Sequence, residues 1–207
     1  MPHRFFDIAF TPSVKRAQEA SGSRSSYART ESRPDVVSHR LTASEAAFIE
    51  ARNSFYMATV SETGWPYIQH RGGPTGFVRV LDERTIGFAD YRGNRQYVSV
   101  GNLTTDDRVS LFFMDYANRT RLKMFGRVRV VGLDDQAALA RLEVPDYRAH
   151  VERGFLITVE GFDWNCPQHI TERYTPEEVL AVTAPLTARI AALEALLADR
   201  TTPLPTG

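Results

Sequence analysis

The sequence predicts a mainly β protein, an antiparallel barrel or sandwich with helices at its periphery and a helix at its C-terminus. Between residues 54 and 131, apolar residues recur with the period of extended chain in several short runs. The segments between these runs contain Gly, Asp and Asn, which favour turns. A helical pattern precedes the runs and another follows them.

The chain of 207 residues is long enough for one domain with extended ends. We expect an N-terminal arm over 1–40, a barrel over 41–170 and a helical tail over 171–207. The 25 basic and 25 acidic residues cancel, which gives no indication of a nucleic-acid or anionic membrane partner. No uninterrupted apolar run approaches the ~20 residues that cross a bilayer. With one cysteine and no secretory signal, the sequence predicts a cytoplasmic protein.

The arm is rich in Ser, Arg and Gly, and it predicts one short helix at Pro12–Ala20 with Thr11 as its cap. The next segment, LTASEAAFIEARN, predicts an amphipathic helix. Thr42 and Glu45 have the spacing of a capping box at its start.

Seven strands are then predicted from period-two patterns and β-branched or aromatic residues. In chain order they are SFYMATV, WPYIQHR, GFVRVLD, ERTIGFAD, RVSLFFMD, RLKMFGRVRVV and GFLITVEGFDW. A short helix before Gly101 is expected to lie across one end of the barrel. Another helix is predicted at Asp134–Leu142.

The tail predicts a helix that begins at Pro176, with Thr175 as its cap. Pro185 is expected to break or kink this helix. Beyond it, four apolar residues recur at spacings of four, three and four: Leu186, Ile190, Leu193 and Leu197. This stripe suits a partner helix, and packing against the chain's own domain accounts for it equally well.

Polar residues gather at the end of the second predicted strand, in IQHRGGP. In a regular strand Gln69 and Arg71 share one face, and His70 lies on the other. An arginine suits a phosphate because its planar fork makes paired, charge-assisted hydrogen bonds. Taken alone, the segment is better explained as a strand end with a solvated arginine.

A second polar segment, FADYRGNRQYV, follows the fourth predicted strand and carries Asp90, Asn94, Arg95 and Gln96. A helix that starts near Asn94 would direct backbone amides at an anion, and Arg95 would complete a phosphate site. A solvated, Arg-rich loop is the alternative. Two such segments in consecutive hairpins favour a site for a phosphorylated ligand.

From FYMATVSETGWPYIQHRGG through RTIGFADYRGNRQYVSVGNLTTDDRVSLFFMD to RLKMFGRVRVV, the chain resembles the pyridoxamine 5'-phosphate oxidase-like family of FMN-binding split barrels. The resemblance implies a split β-barrel and a homodimer with FMN at each of two interface sites. It places Gln69, His70 and Arg71 on the strand beside the flavin, and Asn94, Arg95 and Gln96 on the phosphate-binding loop. Asp90 is implied to contact the ribityl chain or the flavin edge.

The chain departs from the vitamin B6 oxidases of this family at several positions. Gln69 and Gln96 stand where those enzymes carry basic residues, and their C-terminal Trp-Arg-Leu ending is absent. Oxidation of pyridoxamine phosphate is therefore not implied.

The segment FDWNCPQHI resembles a motif of a bacterial subgroup of these flavoproteins. The resemblance implies that Trp164, Asn165 and Gln168 of one subunit complete the flavin site of the other. A Trp164 that packs in the core is an equal alternative. Cys166 has no evident base and forms no metal spacing with histidine, so no metal is predicted.

The leading hypothesis is an FMN-dependent oxidoreductase that acts with a small-molecule substrate or electron donor. The alternatives are a flavin-binding or storage module without turnover, and a binder of a deazaflavin or haem on the same fold. A barrel that only binds a partner protein is the third reading.

Overall fold

The computed structural model describes residues 3–32, 37–165 and 167–201. Its strands are β1 (Ser54–Val60), β2 (Pro66–Gly72), β3 (Val78–Asp82), β4 (Thr85–Tyr91), β5 (Arg108–Asp115), β6 (Thr120–Val131) and β7 (Val151–Asn165). Its helices are α1 (Arg4–Ala9), α2 (Pro12–Ala20), α3 (Arg24–Glu31), α4 (Ala43–Glu50), α5 (Val98–Asn102), α6 (Gln136–Ala140) and α7 (Pro176–Thr201).

The seven strands form one sheet in the order β2-β1-β5-β6-β7-β4-β3, and every neighbouring pair is antiparallel. Strands β2 and β3 are its edges, so the sheet is open rather than closed. The predicted class is confirmed: a mainly β, antiparallel split barrel with peripheral helices and a C-terminal helix.

Alternating residues of the strands supply the core. In β1 every second residue is buried, and Phe55 stacks on Phe113 of β5 with ring centroids 5.0 Å apart. Phe88 of β4 and Phe155 of β7 continue this aromatic layer at 5.1 Å. Because alternate residues of β1 and β5 are buried and most of them are apolar, a shift of one residue in register would expose this layer, so the hydrophobic pattern fixes the pairing of these strands.

The N-terminal segment is more ordered than its composition predicts. Besides the expected α2, it forms α1 and α3. Phe5 of α1 is buried and stacks on Phe125 of β6 at 4.8 Å. The backbone of Phe5 also approaches Gly161, where an added Cβ would lie 2.8 Å from Phe5 N. Burial of aromatic rings therefore holds this segment on the sheet, although its polar composition hides that signal.

The described residues divide into two compact units. Unit 1 ends at Gln168 and lacks residues 116–119, whereas unit 2 consists of Tyr116–Arg119 and the chain from His169 onward. Within unit 2, Arg119 pairs with Glu172 at 3.4 Å, and the Arg173 guanidinium lies 5.0 Å from the centre of the Tyr116 ring.

Helix α7 starts at Pro176, as predicted, and Thr175 Oγ1 accepts a hydrogen bond from the Glu178 amide at 3.2 Å. Of the break or kink expected at Pro185, the break is wrong, because the helix continues to Thr201, and the kink stays a prediction. Proline removes one backbone donor, and the turns on either side of it sustain the helix. Residues Pro176–Ala198, with a mean hydropathy of 1.5, are long and apolar enough to span a membrane by length and composition only.

Candidate functional site

A cavity of about 250 Å³ lies where β2, β4 and the start of β7 meet the loop before α5. Gln69 and Arg71 reach it from the half-buried face of β2, as strand alternation predicts. Asp90 enters from the end of β4, and Asn94 and Arg95 from the loop that follows. The structure therefore brings both polar segments of the sequence to one place.

The floor of this cavity is a buried charge cluster. Arg71 Nη1 donates to Asp90 Oδ1 at 2.6 Å, and Arg153 Nε lies 3.3 Å from Asp90 Oδ2. The Arg71 guanidinium also lies 5.4 Å from the centre of the Phe155 ring. Burial raises the pKa of the Asp90 carboxyl, and the two arginines act against that rise. Burial likewise lowers the pKa of Arg71, which Asp90 opposes.

Hydrogen-bonding capacity is left over in this cluster. The Nε atoms of Arg71 and Arg153 are buried and have no hydrogen-bond partner among the described residues. A buried donor without a partner is costly, and such a donor commonly bonds to a ligand or a water. The cluster can therefore donate to a further acceptor.

The rim of the cavity is organised around Glu152 at the start of β7. Its carboxylate accepts hydrogen bonds from Arg92 Nε at 3.0 Å, the Tyr97 hydroxyl at 3.1 Å and Arg153 Nη2 at 2.9 Å. The Tyr97 hydroxyl in turn accepts from Arg95 Nε at 3.3 Å. Burial acts to raise the pKa of Glu152, but these hydrogen bonds outweigh it and hold the pKa below its ordinary value.

The loop between β4 and α5 has an unusual backbone. Arg95 and Tyr97 have φ angles of 62° and 54°, in the left-handed region that residues other than glycine rarely adopt. Each such residue costs on the order of 1–3 kcal/mol, and such residues concentrate at functional sites. The predicted helix start near Asn94 is wrong, since α5 begins at Val98. The argument from a helix N-terminus therefore fails, and the arginines are the remaining candidates for anion ligands.

Gln69 joins β2 to α5, because its Oε1 accepts a hydrogen bond from Ser99 Oγ at 3.0 Å. A second cavity of about 410 Å³ lies on the other side of Tyr97, and Gln96, Asn102 and the turn after β1 line it. Gln96 therefore belongs to this second cavity, while Tyr97 lines both.

The remaining predicted residues lie apart from both cavities in the single chain. His70 occupies the opposite face of β2, where its ring contacts Tyr56 at 5.5 Å. Trp164 Nε1 donates to Glu45 Oε1 at 2.9 Å, and its ring meets Phe48 edge-on. Gln168 is exposed and lines neither cavity.

Trp164 is 37% exposed, so it is not buried in the core of this chain, and contacts of these residues with a partner's flavin stay a prediction. The side chain of Asn165 and the whole of Cys166 lie outside the described residues.

Tyr97, Ser99, Glu152 and Arg153 were missed by the sequence analysis. Asp90 stands opposite Arg153 in the pairing of β4 with β7, and no local sequence pattern links two residues so far apart in the chain. The sequence does contain one indication of Glu152 and Arg153, because these two charged residues stand directly before the apolar run GFLITV.

The model of the pyridoxamine 5'-phosphate oxidase family matches residues 41–171. No curated protein matches the chain.

Solved structures with similar folds are distant in sequence. The conserved hypothetical protein Rv2991 of Mycobacterium tuberculosis has a TM-score of 0.47 at 17% identity, over 69% of this chain and 94% of its own. HupZ of Group A Streptococcus has a TM-score of 0.45 at 17% identity, over 65% and 99%. An FMN-binding protein of Syntrophomonas wolfei has a TM-score of 0.42 at 12% identity, over 72% and 97%.

Since the family model covers more than half of the chain, including β1 through β7 and both cavities, the protein belongs to the pyridoxamine 5'-phosphate oxidase family.

Proposed function

We propose that this protein binds FMN, with the flavin phosphate in the arginine-lined cavity, and that it acts as an FMN-dependent oxidoreductase on a small molecule. The observation that carries the proposal is the charge of the cavity. Four arginines lie in its walls or bond to them, and two carboxylates oppose them: Arg71, Arg92, Arg95 and Arg153 against Asp90 and Glu152. The surplus of two positive charges matches a phosphate monoester, which carries about −1.5 to −2 at pH 7.

The donors of the site also fit a phosphate. Arg95 is exposed at the rim, and its guanidinium is available beyond the single bond from Nε to Tyr97. Arg71 also lines the cavity, and its Nε is buried without a hydrogen-bond partner among the described residues. Such charge-assisted donors are the strong hydrogen bonds of phosphate sites.

The first cavity alone is too small for most ligands, so a ligand whose phosphate lies there would extend into neighbouring space. A cavity of about 250 Å³ is smaller than the ~300–1,000 Å³ of most ligand sites. The second cavity, with the amides of Gln96 and Asn102, lies directly past Tyr97. We assign the phosphate to the first cavity and the ribityl hydroxyls to the neighbouring amides.

In this proposal FMN supplies the hydride or electron transfer, and the protein positions it. Arg71 and Arg95 hold the phosphate. Glu152 fixes the hydroxyl of Tyr97, and Gln69, bonded to Ser99, orients an amide at the cavity wall. A homodimer, in which the segment around Trp164 reaches a partner's flavin, belongs to the same proposal.

The first test is Arg95→Ala, with FMN binding measured by fluorescence quenching. One charge-assisted hydrogen bond contributes about 1.5–3 kcal/mol, so the Kd should rise roughly 10- to 100-fold. Arg129→Ala is the matched control, because Arg129 lies on β6 and lines neither cavity. An unchanged Kd for FMN in Arg95→Ala would contradict the assignment of the phosphate to this cavity.

The second test separates an enzyme from a flavin-binding module. An oxidoreductase should carry flavin absorption that bleaches with a nicotinamide or deazaflavin donor and returns in air. A protein that binds FMN but responds only to dithionite is a carrier. A protein that takes up no FMN contradicts both functions.

A further inference from the structure

Helix α7 carries a row of exposed aliphatic side chains that the flavin proposal does not use. Leu186, Ile190 and Leu193 are 61%, 56% and 44% exposed. With Val179 at 48%, they form a stripe that runs along most of the helix. Exposed aliphatic side chains in such a row are uncommon on a monomer and mark an interaction surface.

The stripe has the register of a coiled coil. If Ile190 is placed at position a of a heptad, Thr183 and Leu197 also fall at a, and Val179, Leu186 and Leu193 fall at d. A β-branched residue at a with leucine at d favours two parallel strands. Pro185 falls at position c, away from the seam.

The charges of α7 select the parallel orientation. In the same register Arg189 is at g and Glu194 is at e, five residues later. In a parallel pair, g of one helix faces e of the next heptad in its partner, so Arg189 meets Glu194 on both sides of the seam. In an antiparallel pair g faces g and e faces e, which sets like charges against each other.

The same two charges argue against a membrane as the occupant of this face. Arg189 and Glu194 lie within Pro176–Ala198, the segment that is long and apolar enough to span a bilayer. A charged residue near the centre of a bilayer costs roughly 2.5–3.5 kcal/mol. At the edge of a coiled-coil seam the two charges stabilise each other instead.

We propose that α7 pairs with α7 of a second copy of this chain as a parallel, two-stranded coiled coil. The pairing brings the two C-terminal segments together in register, with d facing d and Arg189 facing Glu194 of the partner. It is independent of FMN and adds a contact to any association through the barrels.

Disulfide formation in the full-length protein tests the register. In a C166S background the introduced cysteine is the only one, since the chain has a single native cysteine. L193C at position d should cross-link to its counterpart at least about tenfold faster than A195C at position f, which faces away from the seam. Equal rates, or no cross-link at position 193, would overturn the proposal.

Charge reversal tests the orientation in the same assay. R189E and E194R should each slow the L193C cross-link, and the double variant R189E/E194R should restore it. Equal rates of the L193C cross-link in the three charge variants would contradict the parallel pairing. Co-flotation of the intact protein with neutral phosphatidylcholine vesicles would contradict it too. FMN content, read from absorbance of the same samples, shows separately whether the flavin proposal holds.

Discussion

Asp90 is the residue on which the candidate site most depends, because it is the buried carboxylate between Arg71 and Arg153. Their side chains are 8%, 12% and 17% exposed. In Asp90→Asn the two guanidinium groups would remain buried without their counter-charge. Removal of one partner from a buried ion pair typically costs about 3–5 kcal/mol, so the free energy of unfolding should fall by that amount.

Urea denaturation measures this loss, and Glu83→Gln is its control. Glu83 pairs with Arg40 at 2.8 Å, but both side chains are more than half exposed. An exposed pair contributes about 0–1 kcal/mol. Equal losses in the two variants would show that the Asp90 cluster is not buried in solution.

His3 provides a pH-dependent contact at the residue scale. Its ring stacks on Phe6 at 3.8 Å, and its Nε2 lies 3.9 Å from Asp163, which also pairs with Lys123 at 2.8 Å. Burial lowers the pKa of His3 below 6.5, and Asp163 acts in the opposite direction. The neutral ring therefore stabilises the fold above pH 6.5, and this stabilisation is lost as the pH falls through the lowered pKa.

The Tm of the native protein and of His3→Gln, measured from pH 8 to pH 5, checks this expectation. The native protein should lose more of its Tm on acidification, because His3→Gln does not titrate. His150→Gln, at an exposed histidine, is the control and should follow the native curve. Parallel curves for all three proteins would contradict the expectation.

Individual residues differed in how well the sequence predicted them. Gln69 and Arg71 were placed correctly because strand alternation is local. Glu152 and Arg153 were not found, since their roles arise from the pairing of β4 with β7. His70 lies on the face of β2 opposite to Gln69 and Arg71, as strand alternation predicts. A contact of His70 with a partner subunit stays a prediction.

At the scale of elements, the close approach of α1 to β7 depends on Gly161. An added Cβ there would lie 2.8 Å from Phe5 N and 2.9 Å from Phe5 Cα, both backbone atoms that cannot rotate away. We expect Gly161→Ala to destabilise the protein by about 1–3 kcal/mol, the usual cost of overpacking. Limited proteolysis should then cleave the N-terminal segment faster.

Gly101→Ala is the control for this prediction. Gly101 lies within α5, and an added Cβ would meet no heavy atom within 4 Å. Because alanine favours a helix over glycine, this variant should be more stable by roughly 0.5–1 kcal/mol. Equal effects of the two substitutions would mean that α1 does not pack closely against Gly161.

Elements with strong local signals were predicted best. The capping box of α4, with Thr42 and Glu45, forms as expected. The start of α5 was misplaced because Arg95 and Tyr97 adopt left-handed φ angles that no sequence pattern announces. Arg92 and Tyr97 of this loop donate hydrogen bonds to Glu152, a contact distant in sequence that no local pattern indicates.

For the whole molecule, the sequence predicted the sheet and the C-terminal helix but not the helices α1 and α3 of the N-terminal segment. The strands were evident because their apolar period is strong. The ordering of the N-terminal segment follows from a few buried rings, of which Phe5 contacts the sheet most closely. A few aromatic residues change the composition of a segment very little, but the packing of their rings holds it on the sheet.

The separation into two units leads to a prediction about the whole molecule. Both tryptophans, Trp65 and Trp164, belong to unit 1, whereas α7, the longest helix, belongs to unit 2. Tryptophan emission therefore reports unfolding of unit 1, and circular dichroism at 222 nm includes the melting of α7. A ligand that binds only the folded barrel stabilises it by about 2.7 kcal/mol at 100 times its Kd.

FMN should accordingly raise the transition temperature seen by tryptophan emission and leave the helical transition of α7 unchanged. Riboflavin, which lacks the phosphate, should raise the emission transition much less, because it makes no contact with Arg71 or Arg95. An equal shift from both flavins would contradict the phosphate assignment while still allowing flavin binding. A common shift of both signals with FMN would show instead that the two units unfold together, since binding energy in one unit would then stabilise the other.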